Sequence, residues 1–169
     1  LRGCGAQACS EDDIVELTNG CICCTVADDF IPTMKKLLEK DRKVDHIIIE
    51  TSGLALPQPL VAAFNWPEVK TRVTVDGVIT VIDAAAVAAG RFANDEVALA
   101  AQRAADPSFE HDNPVEEVFE DQINAADLIV LNKSDLLTVA AMEDVRAQIN
   151  AGSSRPLKVV ISEQGKLPL

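Results

Sequence analysis

Apolar residues recur along this chain in two rhythms, short continuous runs and stripes at helical spacing, and their alternation sets the expected fold. Val44-Asp-His-Ile-Ile-Ile49, Val78-Ile-Thr-Val-Ile82 and Leu128-Ile-Val-Leu131 read as buried strands. Lys158-Val-Val-Ile161, after Pro156, is a fourth candidate, and Ile14-Val-Glu-Leu17 is a short one near the start. Between them lie helical stripes. Phe30, Met34, Leu37 and Leu38 form one, with Asp28 or Asp29 as cap and Pro32 in its first turn. Val115, Val118, Phe119, Ile123 and Ala126 form another, with Glu116, Glu117, Glu120 and Asp121 on its wet side. Val139, Met142, Val145 and Ile149 form a third behind a Thr138 cap. Leu60-Val-Ala-Ala-Phe64 is a shorter helical piece, followed by an ambiguous polar stretch to Asp76. Ala84 to Ala105 is an alanine-rich helical region with a break near Gly90, and Asp106-Pro107 and Asp112-Asn113-Pro114 read as loop. Strands alternating with helices predict an α/β domain with a mostly parallel sheet, right-handed crossovers and helices on both faces.

Composition narrows this picture. At 169 residues and 48% hydrophobic content the chain can bury the core of one α/β domain. Only 4% of residues are aromatic, which suits alanine-rich helices packed closely on a sheet. The formal charge of −12 argues against nucleic acid or an anionic membrane as the main partner, because neither is drawn to such a surface. Compact anions can still bind through backbone N–H groups. No apolar run approaches the roughly 18 residues that a membrane span needs. The opening Leu1-Arg-Gly-Cys4 has no basic region followed by an apolar one, so no secretory leader is expected. Five cysteines, three of them within four positions, fit a disulfide framework poorly, and a reducing cytoplasm is the expected compartment. The chain also starts without Met, so an internal fragment is expected.

Two strand ends carry the candidate chemistry. Glu50-Thr-Ser-Gly-Leu-Ala-Leu-Pro57 follows one apolar run and Asn132-Lys-Ser-Asp135 follows another, and parallel sheets place their ligands at that rim. The Asp135 carboxylate can accept two parallel hydrogen bonds, which guanine offers from N1–H and N2–H, whereas adenine presents a lone pair at N1. At about 1.5 to 3 kcal/mol per charged bond, the pair supplies roughly 10² to 10⁴-fold preference for guanine. Asn132 can hold the loop and meet the base, and the Lys133 stem can lie along the base plane. An ordinary strand-to-helix turn is the plainer alternative. Glu50 suits a group that holds Mg²⁺ through water or positions a nucleophilic water, while the Gly53 N–H can approach a terminal phosphate. Glu50 could equally cap a helix or sit in solvent.

Cys21-Ile-Cys-Cys24 brings three thiols together if the chain bends, which Gly20 permits. Thiolates select soft or borderline ions such as Zn²⁺, and a closed tetrahedral site needs a fourth ligand from Cys4, Cys9, a histidine, water or another subunit. Packing as small hydrophobes and thiol redox chemistry are the alternatives.

Leu17-Thr-Asn-Gly-Cys-Ile-Cys-Cys-Thr25, Glu50-Thr-Ser-Gly-Leu-Ala-Leu-Pro57, Val115-Glu-Glu-Val-Phe-Glu-Asp-Gln122 and Leu131-Asn-Lys-Ser-Asp135, in this order and spacing, resemble the CobW family of metal-handling GTPases, relatives of the nickel-insertion GTPases. The resemblance covers nearly the whole chain. It implies a P-loop NTPase-like, three-layer fold, Mg²⁺-dependent GTP hydrolysis, and Zn²⁺ or Co²⁺ at Cys21, Cys23 and Cys24. It implies binding of GTP and GDP, with Glu50 in the catalytic position and Gly53 at the Mg²⁺ and γ-phosphate loop. Asn132, Lys133 and Asp135 match the guanine loop, and Ser162 to Gly165 match the last base-contacting loop more loosely. A metallochaperone role follows, for the closest members in cobalamin biosynthesis, with a metal-receiving client such as a cobaltochelatase and a homodimer among the expected assemblies.

The chain also departs from the family pattern. No G-x-x-x-x-G-K-[ST] phosphate loop occurs in the 169 residues, and neither its strand nor the smaller C-terminal domain of the family is expected here. Residues 1–169 therefore read as one GTPase-domain fragment, with a GTP-hydrolysing parent and no turnover by the fragment itself. A passive thiolate metal-binding or storage module is the alternative from another class, and a thiol oxidoreductase is a third.

Overall fold

The computed structural model describes residues 30–39, 45–51, 53, 55–91 and 115–167. In chain order the elements are α1 (Ile31–Glu39), α2 (Pro57–Ala63), α3 (Pro67–Lys70), β1 (Ile79–Asp83), α4 (Ala84–Ala88), α5 (Val115–Ala125), β2 (Leu128–Asn132), a 3₁₀ turn (Ser134–Leu136), α6 (Val139–Ala151) and β3 (Val159–Ile161). The three strands form one parallel sheet in the order β1-β2-β3. The chain thus has the expected α/β architecture. Among the described residues, no helix is long and apolar enough to cross a membrane.

The helix ends follow local chemistry. Thr138 caps α6 by accepting from the Ala141 N–H, and Asp83 caps α4 by accepting from the Ala86 N–H. Pro57 and Pro67 open α2 and α3, where a missing N–H costs nothing. Helix α4 stops at Gly90, whose φ of +69° is open to glycine, and the Arg91 N–H reaches back to the Ala86 carbonyl. The break near Gly90 is therefore a helix C-terminus, and residues 92–114 lie outside the described set.

Register assigns the two faces of the sheet. Ile82 pairs with Leu131, and Leu131 with Ile161, so these side chains share one face with Ile129 and Val159. That face packs against Ala84 and Val87 of α4, Ile123 of α5, and Met142, Val145 and Ile149 of α6. On the other face Val130 is buried, while Ile79 and Val81 are 62% and 66% exposed. A run apolar on both faces suggested a strand covered on both sides; in β1 the described helices cover only one.

A second cluster joins Phe30 and Met34 to Leu60, Ala63 and Val69. Ile47 and Ile49 pack against it. The Val44 run differs here from the sequence expectation, because residues 45–50 belong to no strand of the described sheet. Burial alternates along them, and Ile48 is 94% exposed. Such a segment has one covered face and no ladder partner among the described residues, so apolar content alone does not make it a sheet strand.

Candidate functional site

Parallel register brings three polar residues to the same rim. Asp83 ends β1 directly opposite Asn132, which ends β2. Ser162 follows β3, and its N–H continues the ladder to the Leu131 carbonyl at 2.9 Å. At the opposite end of the strands, Asp127 accepts from the Val78 N–H and faces Arg155 across 3.7 Å, which ties β2 to its neighbours.

Asn132 is held by two donors. Its Oδ1 accepts from the Ser162 hydroxyl at 2.8 Å and from the Gly165 N–H at 3.0 Å. Ser162 is 2% exposed, so its hydroxyl needs this partner. Gly165 reaches Asn132 because residues 163–166 form a two-residue hairpin, closed by paired bonds between Glu163 and Lys166. Both central residues have positive φ, 49° at Gln164 and 75° at Gly165, the pattern of a type I′ turn. The Ser134 N–H also donates to the Ser162 carbonyl at 3.2 Å. Side chain and backbone thereby tie the loop after β2 to the loop after β3.

Lys133 adopts the left-handed region, with φ 63° and ψ 35°, and its carbonyl starts the 3₁₀ turn by accepting from the Leu136 N–H. Its ammonium lies 2.6 Å from Asp83 Oδ2. Burial alone would raise the Asp83 carboxyl, but the Lys133 ammonium and the Ala86 and Ala85 N–H groups outweigh it and hold the group below its ordinary value. Asp135, in the 3₁₀ turn, is exposed.

The structure thus brings together Asn132, Lys133 and Ser162 of the expected set, with Asp135 two residues further on. Glu50 is exposed at the end of the 45–50 segment. Gly53 presents its carbonyl to Gln122 Nε2 at 2.9 Å, and the same amide nitrogen reaches the Ala55 carbonyl at 3.0 Å. Among the described residues, a Cβ at Gly53 would meet nothing within 4 Å. Cys21, Cys23 and Cys24 lie outside the described residues. Asp83 and Gln122 were not singled out in the sequence. An Asp between a strand and an alanine run signals only a cap, and the partners of Gln122 lie 67 and 69 residues away.

A parallel sheet with polar loops gathered at its C-terminal rim is the arrangement in which α/β domains bind their ligands. A family model described as the CobW/HypB/UreG nucleotide-binding domain matches residues 3–160. The chain belongs to this family. It is 61% identical over 167 residues to the zinc chaperone CobW of Sinorhizobium sp, covering 99% of this chain and 47% of that relative. It is 48% identical to the zinc chaperone CobW of Pseudomonas aeruginosa, covering 95% of this chain and 44% of the relative. A zinc-regulated GTPase metalloprotein activator 1 from Schizosaccharomyces pombe is 33% identical over 140 residues, covering 82% of this chain and 29% of the relative. The chain spans less than half the length of these curated relatives. No solved structure matches it significantly.

Proposed function

We propose that this chain is the base-reading part of a GTP-dependent metallochaperone that binds zinc and passes it to a client. The observation that carries the reading is the double hold on Asn132 Oδ1 by Ser162 and Gly165, which fixes the loop that presents Asp135. With Oδ1 occupied, the Asn132 amide hydrogens are left for acceptors on a base, and the exposed Asp135 carboxylate is left for donors. Names of the relatives supply the metal and the nucleotide: two are zinc chaperones and one is a zinc-regulated GTPase.

In this reading Asp135 accepts N1–H and N2–H of guanine, and the Lys133 stem covers the base plane. Glu50 would hold Mg²⁺ through water, which supplies charge neutralisation at the phosphates when bound, and the Gly53 N–H faces the terminal phosphate. Zn²⁺ or Co²⁺ is cargo for Cys21, Cys23 and Cys24, and the client is a metal-dependent protein, with a cobaltochelatase of cobalamin biosynthesis as one candidate. Nucleotide and metal affinities are coupled reciprocally, so each ligand tightens the other by the same factor. The 169 residues lack a G-x-x-x-x-G-K-[ST] loop, so this chain binds the base end without turning GTP over. The alternative reading is a passive thiolate metal-binding or storage module with no functional nucleotide site.

The test is a titration of the chain with GDP and ADP, observed by amide NMR, in the parent sequence and in Asp135→Asn. The reading requires guanine preference in the parent and its loss in the variant, by roughly 10² to 10⁴-fold. Equal response to both nucleotides in the parent would leave the passive module standing. Triple Cys→Ser replacement should abolish the thiolate-to-cobalt absorption of the Co²⁺-loaded chain.

A further inference from the structure

We propose that Asp83 is a positioning residue for base recognition: it anchors the Lys133 ammonium and thereby sets the lysine stem in place before a guanine nucleotide arrives. The inference rests on the guanine-site reading above and adds a residue from a different strand to it.

Three observations converge on it. Register puts Asp83 directly across from Asn132, so the carboxylate of one strand end faces the loop that starts at the next. Its two oxygens are divided between tasks: Oδ1 caps α4 at the Ala86 N–H, at 3.1 Å, and Oδ2 takes the Lys133 ammonium at 2.6 Å. Capping orients the carboxylate, so the second oxygen is aimed rather than free to rotate. Lys133 itself is held at φ 63°, a backbone state that L residues enter only when their surroundings fix it. The carboxylate anchors one end of the side chain and the 3₁₀ turn anchors the other.

Immobilising a long side chain during binding weakens the complex, and a stem already fixed avoids that loss. A lysine free in solution samples many rotamers, whereas one tethered at its ammonium samples few. The Lys133 side chain remains 39% exposed, so the tether does not close the stem off from a base. Asp83 is 19% exposed and has both oxygens engaged, so it supports the lysine without being a direct ligand.

Substitution separates tether from cap. Serine is as good an N-cap as aspartate but is too short and uncharged to hold the ammonium, so Asp83→Ser keeps α4 and releases Lys133. Asp83→Asn keeps the cap with its one oxygen and turns an amide NH₂, a donor, toward the ammonium, so it too releases Lys133. Titrating the chain with GDP and with ADP should give GDP binding about 2- to 10-fold weaker in both Asp83→Ser and Asp83→Asn, with ADP binding unchanged. In a Lys133→Met background Asp83→Ser should have no further effect on GDP. Side-chain relaxation of Lys133 should show a newly mobile stem in Asp83→Ser with the rest of the spectrum preserved.

The proposal is overturned if Asp83→Ser binds GDP as tightly as the parent chain, or if its effect persists undiminished in the Lys133→Met background. Those results would leave the guanine reading intact. A parent chain that does not distinguish GDP from ADP would remove the guanine reading and this inference with it.

Discussion

The Ser162 hydroxyl donates to Asn132 Oδ1 across 2.8 Å, joining residues thirty positions apart at the rim of neighbouring strands. Removing it takes away one of the two donors that hold this oxygen and leaves the Gly165 N–H as the other. Ser162→Ala should therefore lower unfolding stability by about 0.5 to 1.5 kcal/mol, the net worth of one hydrogen bond. Urea denaturation measures this, and a midpoint unchanged from the parent would show that the hydroxyl does not hold the loop.

The two faces of the sheet should respond differently to truncation. Ile129 is fully buried in the cluster formed with α4, α5 and α6, whereas Ile79 is 62% exposed on the opposite face. Ile129→Ala should cost about 2 to 5 kcal/mol, as buried large-to-small changes do. Ile79→Ala belongs with surface substitutions, within roughly 0.5 kcal/mol. Comparable losses at both sites would mean that the Ile79 face is covered in solution.

Protonation gives a third check. The Asp83 carboxyl titrates below its ordinary value of 3.8 in the folded chain, so folding favours its charged form. Its contribution is fully present above that ordinary value and drains away as pH falls through the lower folded value. The stability difference between the parent chain and Asp83→Asn should be constant near neutrality and shrink under strong acid. Because the Lys133 end is 39% exposed and screened, the difference should stay within about 1 kcal/mol. A difference that grows on acidification would contradict the ion pair.

Gln122 offers a fourth. Its side-chain amide spans the Gly53 and Ala55 carbonyls, and the Gln122 backbone carbonyl accepts from the Thr80 hydroxyl at 3.1 Å. Gln122→Leu keeps the bulk and removes both bonds. Hydrogen exchange around residues 53–55 should quicken in the variant while the Asn132 to Gly165 rim stays protected. Uniform acceleration over both regions would show instead that the residue supports the fold as a whole.

Much of this was legible in the sequence. The runs that became β1, β2 and β3 are continuous and apolar, and the stripes behind α1, α5 and α6 have helical period, because burial imposes those rhythms directly. The Val44 run misled because apolarity reports a covered side chain and not a paired backbone; Ile47 and Ile49 are packed with no ladder beside them among the described residues. At the rim, Asn132 and Asp135 announce themselves by residue type. Asp83 does not, since its second oxygen matters only once register sets it across from Asn132. The hold of Gly165 on Asn132 likewise depends on a tight turn whose partner lies 33 residues back.

Lys133 occupies a corner where an L side chain is least at ease, at roughly 1 to 2 kcal/mol, and a glycine would relax the backbone there. That glycine would also take away the ammonium that Asp83 holds at 2.6 Å. Selection for heat resistance at this position would therefore weigh backbone ease against the ion pair to Asp83, and under the proposed guanine reading any gain would come at the expense of base recognition.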